Sequence, residues 1–249
     1  MNKYRFVSKL SVKGGTRMNI QEVVGTRLYW EKLNWCLPDD KKIPSGMILQ
    51  DDFYNFVQAE ANILDVGCGF GKSLLQLRRD GYKNLVGVEI NLSALSLGKT
   101  LSDGIKPPDF FLARAERLPF CDQSFDCIIN QAFWTTIVSK EDRENIVREF
   151  HRVLKPGGLI YAEEYGQTPR IEENKVRYQD GIKKGYPMGT WEVTNNQGEY
   201  LYLAHHYSKD EIVELFLANG FSEMVFYREL LCRTRSGKEN DGHLIVVQS

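Results

Sequence analysis

The residues best placed to do chemistry lie between Ile63 and Ser73. Ile63-Leu64-Asp65-Val66 is a short apolar run broken by one acid, and it gives way to Gly67, Gly69 and Gly71 at alternate positions. Helical spacing resumes at Ser73-Leu74-Leu75-Gln76-Leu77. A buried strand that breaks into glycines and then a helix is a cofactor cradle, because glycine lets the backbone bend sharply and touch a ligand. The first N–H groups of the following helix point the same way. A second apolar run, Leu85-Val86-Gly87-Val88, ends in Glu89. An acid about 20 residues past a glycine turn is where such folds hold ribose hydroxyls. The glycine spacing is one residue shorter than the dinucleotide pattern, which argues against a pyrophosphate and hence against a nicotinamide oxidoreductase.

Asp65-x-Gly67-x-Gly69-x-Gly71 followed by Glu89 resembles the class I S-adenosylmethionine (SAM) dependent methyltransferases, in particular their ubiquinone/menaquinone-biosynthesis-like small-molecule group. Ala113-Arg114-Ala115-Glu116-Arg117-Leu118-Pro119-Phe120, with Ser124-Phe125-Asp126, is similar to the family's adenine-holding segment and its lead into strand four. Glu149 to Gly158 resembles the family's junction between a helix and strand five. The resemblance covers residues 62–166 well and the C-terminal strands loosely. It implies a Rossmann-like α/β fold: an open, mostly parallel seven-stranded sheet with helices on both faces and an antiparallel final strand. It also implies a substrate cover built from the N-terminus and an insertion after strand five. The cofactor it implies is SAM, leaving S-adenosylhomocysteine, with no metal.

By the same resemblance, Gly67, Cys68, Gly69 and Gly71 bring backbone against the methionine and ribose of the cofactor. Glu89, with Ile90 beside it, takes the ribose hydroxyls, and Asp65 orients the glycine turn and the cofactor's amino group. Ala115 and Glu116 take the adenine. One position departs from the pattern: the acid expected before the alanine is Arg114, which cannot accept the adenine amino hydrogen. Either Glu116 substitutes, or the backbone at Ala115 and a stacking contact, which Arg114 could itself supply, hold the ring. Asn130 and Gln131 follow the expected strand four, where an open parallel sheet binds its ligands.

Methyl transfer is mostly a matter of holding the reacting groups in line. A base is needed only where the nucleophile carries a proton that must leave early. Glu164, at the end of strand five, and the pair His205 and His206 are the candidate bases, with Tyr207 as a hydrogen-bonding partner. Tyr29, Trp30, Trp134, Tyr165 and Trp191 are the aromatic candidates for the acceptor pocket, with core packing the competing reading for each.

Several elements must position these groups. Apolar residues recur at helical spacing from Asn19 to Trp35, and a second short helix is expected from Asp51 to Ala59. Strands are expected at 63–66, 85–89, 110–112, 125–129 and 159–162, with helices to Arg79, over 94–101 and over 141–154. A partly helical polar stretch at 167–184 and a hairpin, Trp191–Thr194 with Tyr200–Leu203, stand outside the regular alternation. Ser208-Lys209-Asp210-Glu211 reads as a capping box for a helix over 212–218. Two strands, 223–228 and 244–247, joined by a polar loop, close the chain. The division is an N-terminal arm and lid at 1–60, then a methyltransferase domain at 61–249 with a substrate-cover insertion at about 166–206.

The 249 residues suit one large α/β unit, and the net charge of −1 supplies no global field to recruit nucleic acid or an anionic membrane. A small-molecule substrate is therefore the expected partner, with a second copy of the chain as an option. A tRNA or other nucleic-acid methyltransferase, supported only by local pairs such as Arg78-Arg79 and Lys183-Lys184, and a non-catalytic SAM-binding protein are the alternatives. Five scattered cysteines without a C-x-x-C pair suit reduced thiols in the cytoplasm. No apolar run approaches the roughly 18 residues of a membrane span.

Overall fold

A computed structural model describes residues 20–35, 47–102, 104–233 and 239–249. The expected arm at 1–17, the breaks at Pro38 and Pro44 and most of the loop after Arg233 lie outside the described residues. The apolar runs form β1 (Asn62–Val66), β2 (Asn84–Glu89), β3 (Asp109–Leu112), β4 (Phe125–Gln131) and β5 (Leu154–Tyr165), all parallel. The chain ends in β8 (Glu223–Arg233) and β9 (Glu239–Gln248); β9 is antiparallel to both β5 and β8. The sheet of seven strands has the order β3-β2-β1-β4-β5-β9-β8. Strands buried on both faces need apolar residues at nearly every position, and Ile63 to Val66 of β1 are all buried.

Alternate residues of each strand feed two cores. On one face Leu64, Ile128, Ile160 and Ile245 meet Ile146, Val147, Phe150 and Val153 of α5 (Lys140–Val153) and Ile212 and Phe216 of α7 (Lys209–Leu217). On the other face Ile63, Ile129, Tyr161 and Val246 meet Leu74 and Leu77 of α3 (Lys72–Arg79) and Phe53 of the one-turn α2 (Phe53–Phe56). The capping residues act as their types require: Ser139 accepts from Asp142 N, Ser208 from Glu211 N, and Asn91 from Ala94 N at the start of α4 (Leu92–Thr100).

A roof lies over the carboxyl ends of the central strands. It is made of α1 (Ile20–Lys32), α6 (Glu172–Lys183) and a separate hairpin of β6 (Thr190–Thr194) and β7 (Tyr200–His205). Thr26, the buried residue of α1, accepts the Leu203 N–H at 2.9 Å and so ties the helix to β7. The Asn91 amide donates to Trp30 O at 2.8 Å and Leu33 O at 2.7 Å, so the residue that caps α4 also ends α1.

Two of the elements that run longer than their apolar cores suggest bear on the site. β5 continues through Glu163, Glu164 and Tyr165 because β9 begins at Glu239 and pairs with it, Glu164 facing His243 and Tyr165 facing Gly242. β7 likewise includes His205, opposite Thr190. Both extensions decide where candidate catalytic side chains lie.

Candidate active site

Beneath the roof is a cavity of about 1000 Å3, at the upper end of the range for small-molecule sites. Its floor is the turn after β1. Gly67 has φ +74°, and a Cβ there would stand 2.5 Å from the Phe133 ring; Gly69 has φ +56° and the Trp35 indole 3.3 Å from the same position. Only glycine meets both demands without strain. Gly67 N and Cys68 N donate to Val88 O at 2.8 and 3.1 Å, which locks the turn to β2. The Glu89 carboxylate accepts from Gly69 N at 3.0 Å, Ile90 N at 2.8 Å and Asn91 N at 3.1 Å. One acid thus joins the turns after β1 and β2 and remains on the cavity wall.

Asp65 lies beside it on the wall. Burial, and then the nearby charge of Glu89, push the Asp65 carboxyl up to about 8. Burial also raises Glu89, opposed by its three backbone donors. Glu163 is pushed up to about 7 by burial, against hydrogen bonds from Gln131, Tyr161 and Gln50, and burial likewise raises Glu164 to about 7. Asp65, Glu163 and Glu164 hold protons in the folded chain at pH values where the unfolded chain, at roughly pH 4, has lost them. Their contribution to stability is complete below about pH 4 and is lost as pH rises through 7 to 8. The histidines act oppositely: burial lowers His205, His206 and His243, so the unfolded chain gains protons as pH falls below about 6.5. The two effects offset one another at mildly acidic pH. The expected result is a urea midpoint that falls between pH 6.5 and 8.5, by on the order of 2 kcal/mol in stability. A midpoint that rises across that window would mean that the acids stay ionised.

At one end of the cavity stand Ile90, Ala113, Arg114, Ala115 and Glu116. Glu116 is engaged by a residue without a sequence motif: Arg27 of α1 lies 2.7 Å from Glu116 Oε1 and 3.0 Å from Asp142 Oδ2. This ion pair couples the roof helix to the segment expected to hold adenine. Arg114 pairs with Glu31, at 3.9 Å, with its side chain 55% exposed. Toward the middle, Gln131 lines the wall, accepts a short hydrogen bond from Ser73 and donates to Glu163 at 3.1 Å. At the other end are Tyr165, Asn174, Arg177, Trp191 and His206, while Tyr29 and Trp30 of α1 line the roof.

Five expected site residues do not line the cavity. Gly71 is the N-cap of α3 and faces the Phe110 ring. Asn130 is wholly buried and donates to Val66 O at 3.1 Å, which binds β4 to β1. Trp134 is wholly buried between Phe150 and Phe216, ring centres 5.7 and 5.6 Å away, so it is core and not pocket wall. Glu164 is sealed in the sheet, accepting from Thr135 N at 3.0 Å and Tyr165 N at 2.8 Å. His205 is buried with Nδ1 2.7 Å from Thr190 Oγ1 and Nε2 2.9 Å from Glu211. Sequence reasoning missed Arg27, Asp142 and Arg177, whose signal was a charge on an element that forms roof or rim.

The cavity fits a nucleoside cofactor together with a second small molecule. Its volume suffices, its floor is a glycine turn flanked by two acids, and two of its lining residues carry buried indole N–H groups, Trp30 Nε1 and Trp35 Nε1, without partners among the described residues. A buried donor left unpaired is costly, and a polar ligand would satisfy it.

A doubly wound sheet with such a turn, a following acid and a roofed cavity at its carboxyl edge defines a Rossmann-like methyltransferase. The family model described as a methyltransferase domain matches residues 64–162. A SAM-dependent methyltransferase of solved structure from Methanosarcina mazei is 32% identical, with 82% of this chain and 99% of that one covered at a TM-score of 0.77. The chain belongs to the SAM-dependent methyltransferases. It is also similar to the ubiquinone/menaquinone biosynthesis C-methyltransferase of Pseudomonas savastanoi pv. phaseolicola, 29% identical over 185 residues and 69% of each chain. Phosphoethanolamine N-methyltransferase 3 of Arabidopsis thaliana is 28% identical over 109 residues, 43% of this chain and 22% of that one.

Proposed function

We propose that this methyltransferase acts on a small-molecule acceptor held between Tyr165, Trp191 and the roof helix α1. The observation that carries the reading is one continuous cavity, running from the Glu89 and Ala115 end to Trp191 and His206. In it Gly67, Cys68 and Gly69 present backbone to the methionine and ribose of SAM, Glu89 and Ile90 the ribose site, and Asp65 the site for the amino group. Ala115 holds the adenine with Glu116, one oxygen of which is already taken by Arg27. When bound, SAM supplies a methyl group already activated by its positive sulfur.

The chain's own task is then alignment and dryness. Tyr29, Trp30 and Tyr202 pack against one another with ring centres 4.5 to 5.4 Å apart, and all three line the cavity beneath the roof. A fixed aromatic roof of this kind limits water over the reacting groups. Among the described residues no helix is long and apolar enough to cross a membrane. The cysteines among them, Cys68, Cys121, Cys127 and Cys232, are free, which suits the cytoplasm as the working compartment.

The direct test is incubation with methyl-labelled SAM and a metabolite extract. Label is expected in a compound of low molecular mass. Label confined to RNA, or SAM binding without any transfer, would overturn the small-molecule reading.

A further inference from the structure

The end of the cavity beside Ile90 carries a charge arrangement that the roof completes. Arg117 N donates to Arg114 O at 3.2 Å, closing a four-residue turn with Ala115 and Glu116 at its centre. Helix α5 supports this turn from two places on one face: Glu149 accepts from Leu118 N at 2.7 Å, and Asp142, two turns earlier, meets the guanidinium that Glu116 holds. That guanidinium belongs to Arg27 of α1. Its Nη2 lies 2.7 Å from Glu116 Oε1 and 3.0 Å from Asp142 Oδ2, so a single nitrogen joins roof, turn and α5. Arg27, Glu116 and Asp142 all line the cavity. One guanidinium between two carboxylates leaves the junction net negative, and Glu116 Oε2 has no hydrogen-bond partner among the described residues.

Holding the roof down does not require this pair. α1 is tied along its length by other contacts: Glu22 accepts from Tyr186 Oη at 2.8 Å, Thr26 accepts from Leu203 N at 2.9 Å, and Asn91 donates to Trp30 O and Leu33 O. Tyr29 and Trp30 pack on Tyr202 as well. The Arg27 and Glu116 side chains are both partly exposed, and ion pairs that solvent reaches contribute little to stability. What such a pair does supply is direction. A charged hydrogen bond on one oxygen fixes the plane of a carboxylate and with it the place of the other oxygen. At position 114 there is no competing acceptor, since the side chain is a guanidinium drawn toward Glu31.

We propose that Arg27 is a positioning residue for the cofactor's base: by holding Oε1 of Glu116 it sets Oε2 to accept the 6-amino group of adenine, in place of the acid that position 114 lacks. This rests on the cofactor placement in the proposed function. The 6-amino group is a donor, which suits a carboxylate oxygen in a net negative junction. Asp142 keeps the guanidinium from swinging away, so the reading of the base is shared by three elements distant in sequence. The roof thereby contributes to choosing the nucleoside as well as to covering it.

The test is calorimetry with two ligands: S-adenosylhomocysteine, and its analogue in which hydrogen replaces the 6-amino group. The wild-type chain is expected to bind the analogue about tenfold more weakly, the loss of one hydrogen bond to a charged acceptor. Glu116→Ala should lose about tenfold in affinity for S-adenosylhomocysteine and little for the analogue, bringing the ratio near one. Arg27→Ala should narrow the ratio to about twofold, because the carboxylate is no longer aimed. Arg27→Lys, which keeps the charge without the planar fork, should fall between Arg27→Ala and wild type. A pair that only docks the roof would weaken both ligands by the same factor, and a ratio unchanged in the Arg27 variants would overturn the proposal. A wild-type ratio near one would overturn it as well, whatever the variants do. Strong binding of S-adenosylhomocysteine with no preference between the two ligands leaves the cofactor assignment standing and removes the role of Arg27 alone. No heat with either ligand removes both.

Discussion

Replacing Glu89 with alanine should weaken SAM and S-adenosylhomocysteine binding by about 100-fold or more. Two losses combine. A carboxylate that accepts cofactor hydroxyls contributes on the order of 1.5–3 kcal/mol for each charged hydrogen bond, and each 1.4 kcal/mol is tenfold in affinity. The same side chain also holds Gly69 N, Ile90 N and Asn91 N, so alanine leaves three backbone donors without their acceptor. The glycine turn would then lose its registration against β2 even before a ligand arrives. Glu89→Gln should fall between wild type and alanine, because its amide keeps one acceptor but turns an N–H2 toward backbone N–H groups. Calorimetry gives the affinity, and thermal unfolding shows how much of the loss is structural. An unchanged dissociation constant in the alanine variant would remove Glu89 from the cofactor site.

The second large effect concerns stability. Trp134→Ala should cost about 3–5 kcal/mol, the range for emptying a large buried aromatic position, and that is a sizeable part of the ~5–15 kcal/mol that holds a typical domain together. Trp134 has no exposed surface; its ring meets Phe133, Phe150 and Phe216 edge-on, and its carbonyl accepts from Tyr207 Oη at 3.1 Å. Trp191→Ala is the informative contrast. That side chain is 9% exposed and lines the cavity, so its loss should fall mainly on acceptor binding. Urea unfolding of the two variants, with the methyl-label transfer assay on each folded protein, separates the cases. A Trp134 variant that unfolds at the wild-type midpoint would contradict its place in the core.

The candidate bases show where reading the chain ran out. Glu163, Glu164, His205 and His206 stand in pairs, and in an extended chain neighbours point to opposite sides. Whether any of the four meets the cavity depends on how far the strand runs and what pairs with it; neither Glu163 nor Glu164 does. β5 reaches Tyr165 only because β9, more than 70 residues later, begins early enough to pair there. That pairing seals Glu164 in the sheet. His205 turns to Thr190 and Glu211, and His206 lines the cavity. Arg27 carried no local sign of its role, since its partners Glu116 and Asp142 lie 89 and 115 residues away.

The order of elements, the glycine turn with its acid and the methyl-transfer class were already written in the sequence. Their causes are local: a left-handed backbone needs glycine, a helix start needs a capping oxygen, and a doubly buried strand needs consecutive apolar residues. The tertiary structure decided which side chains face the cavity and which are sealed in the core. Those outcomes depend on strand register and on contacts between distant segments, and residue type at one position does not specify either.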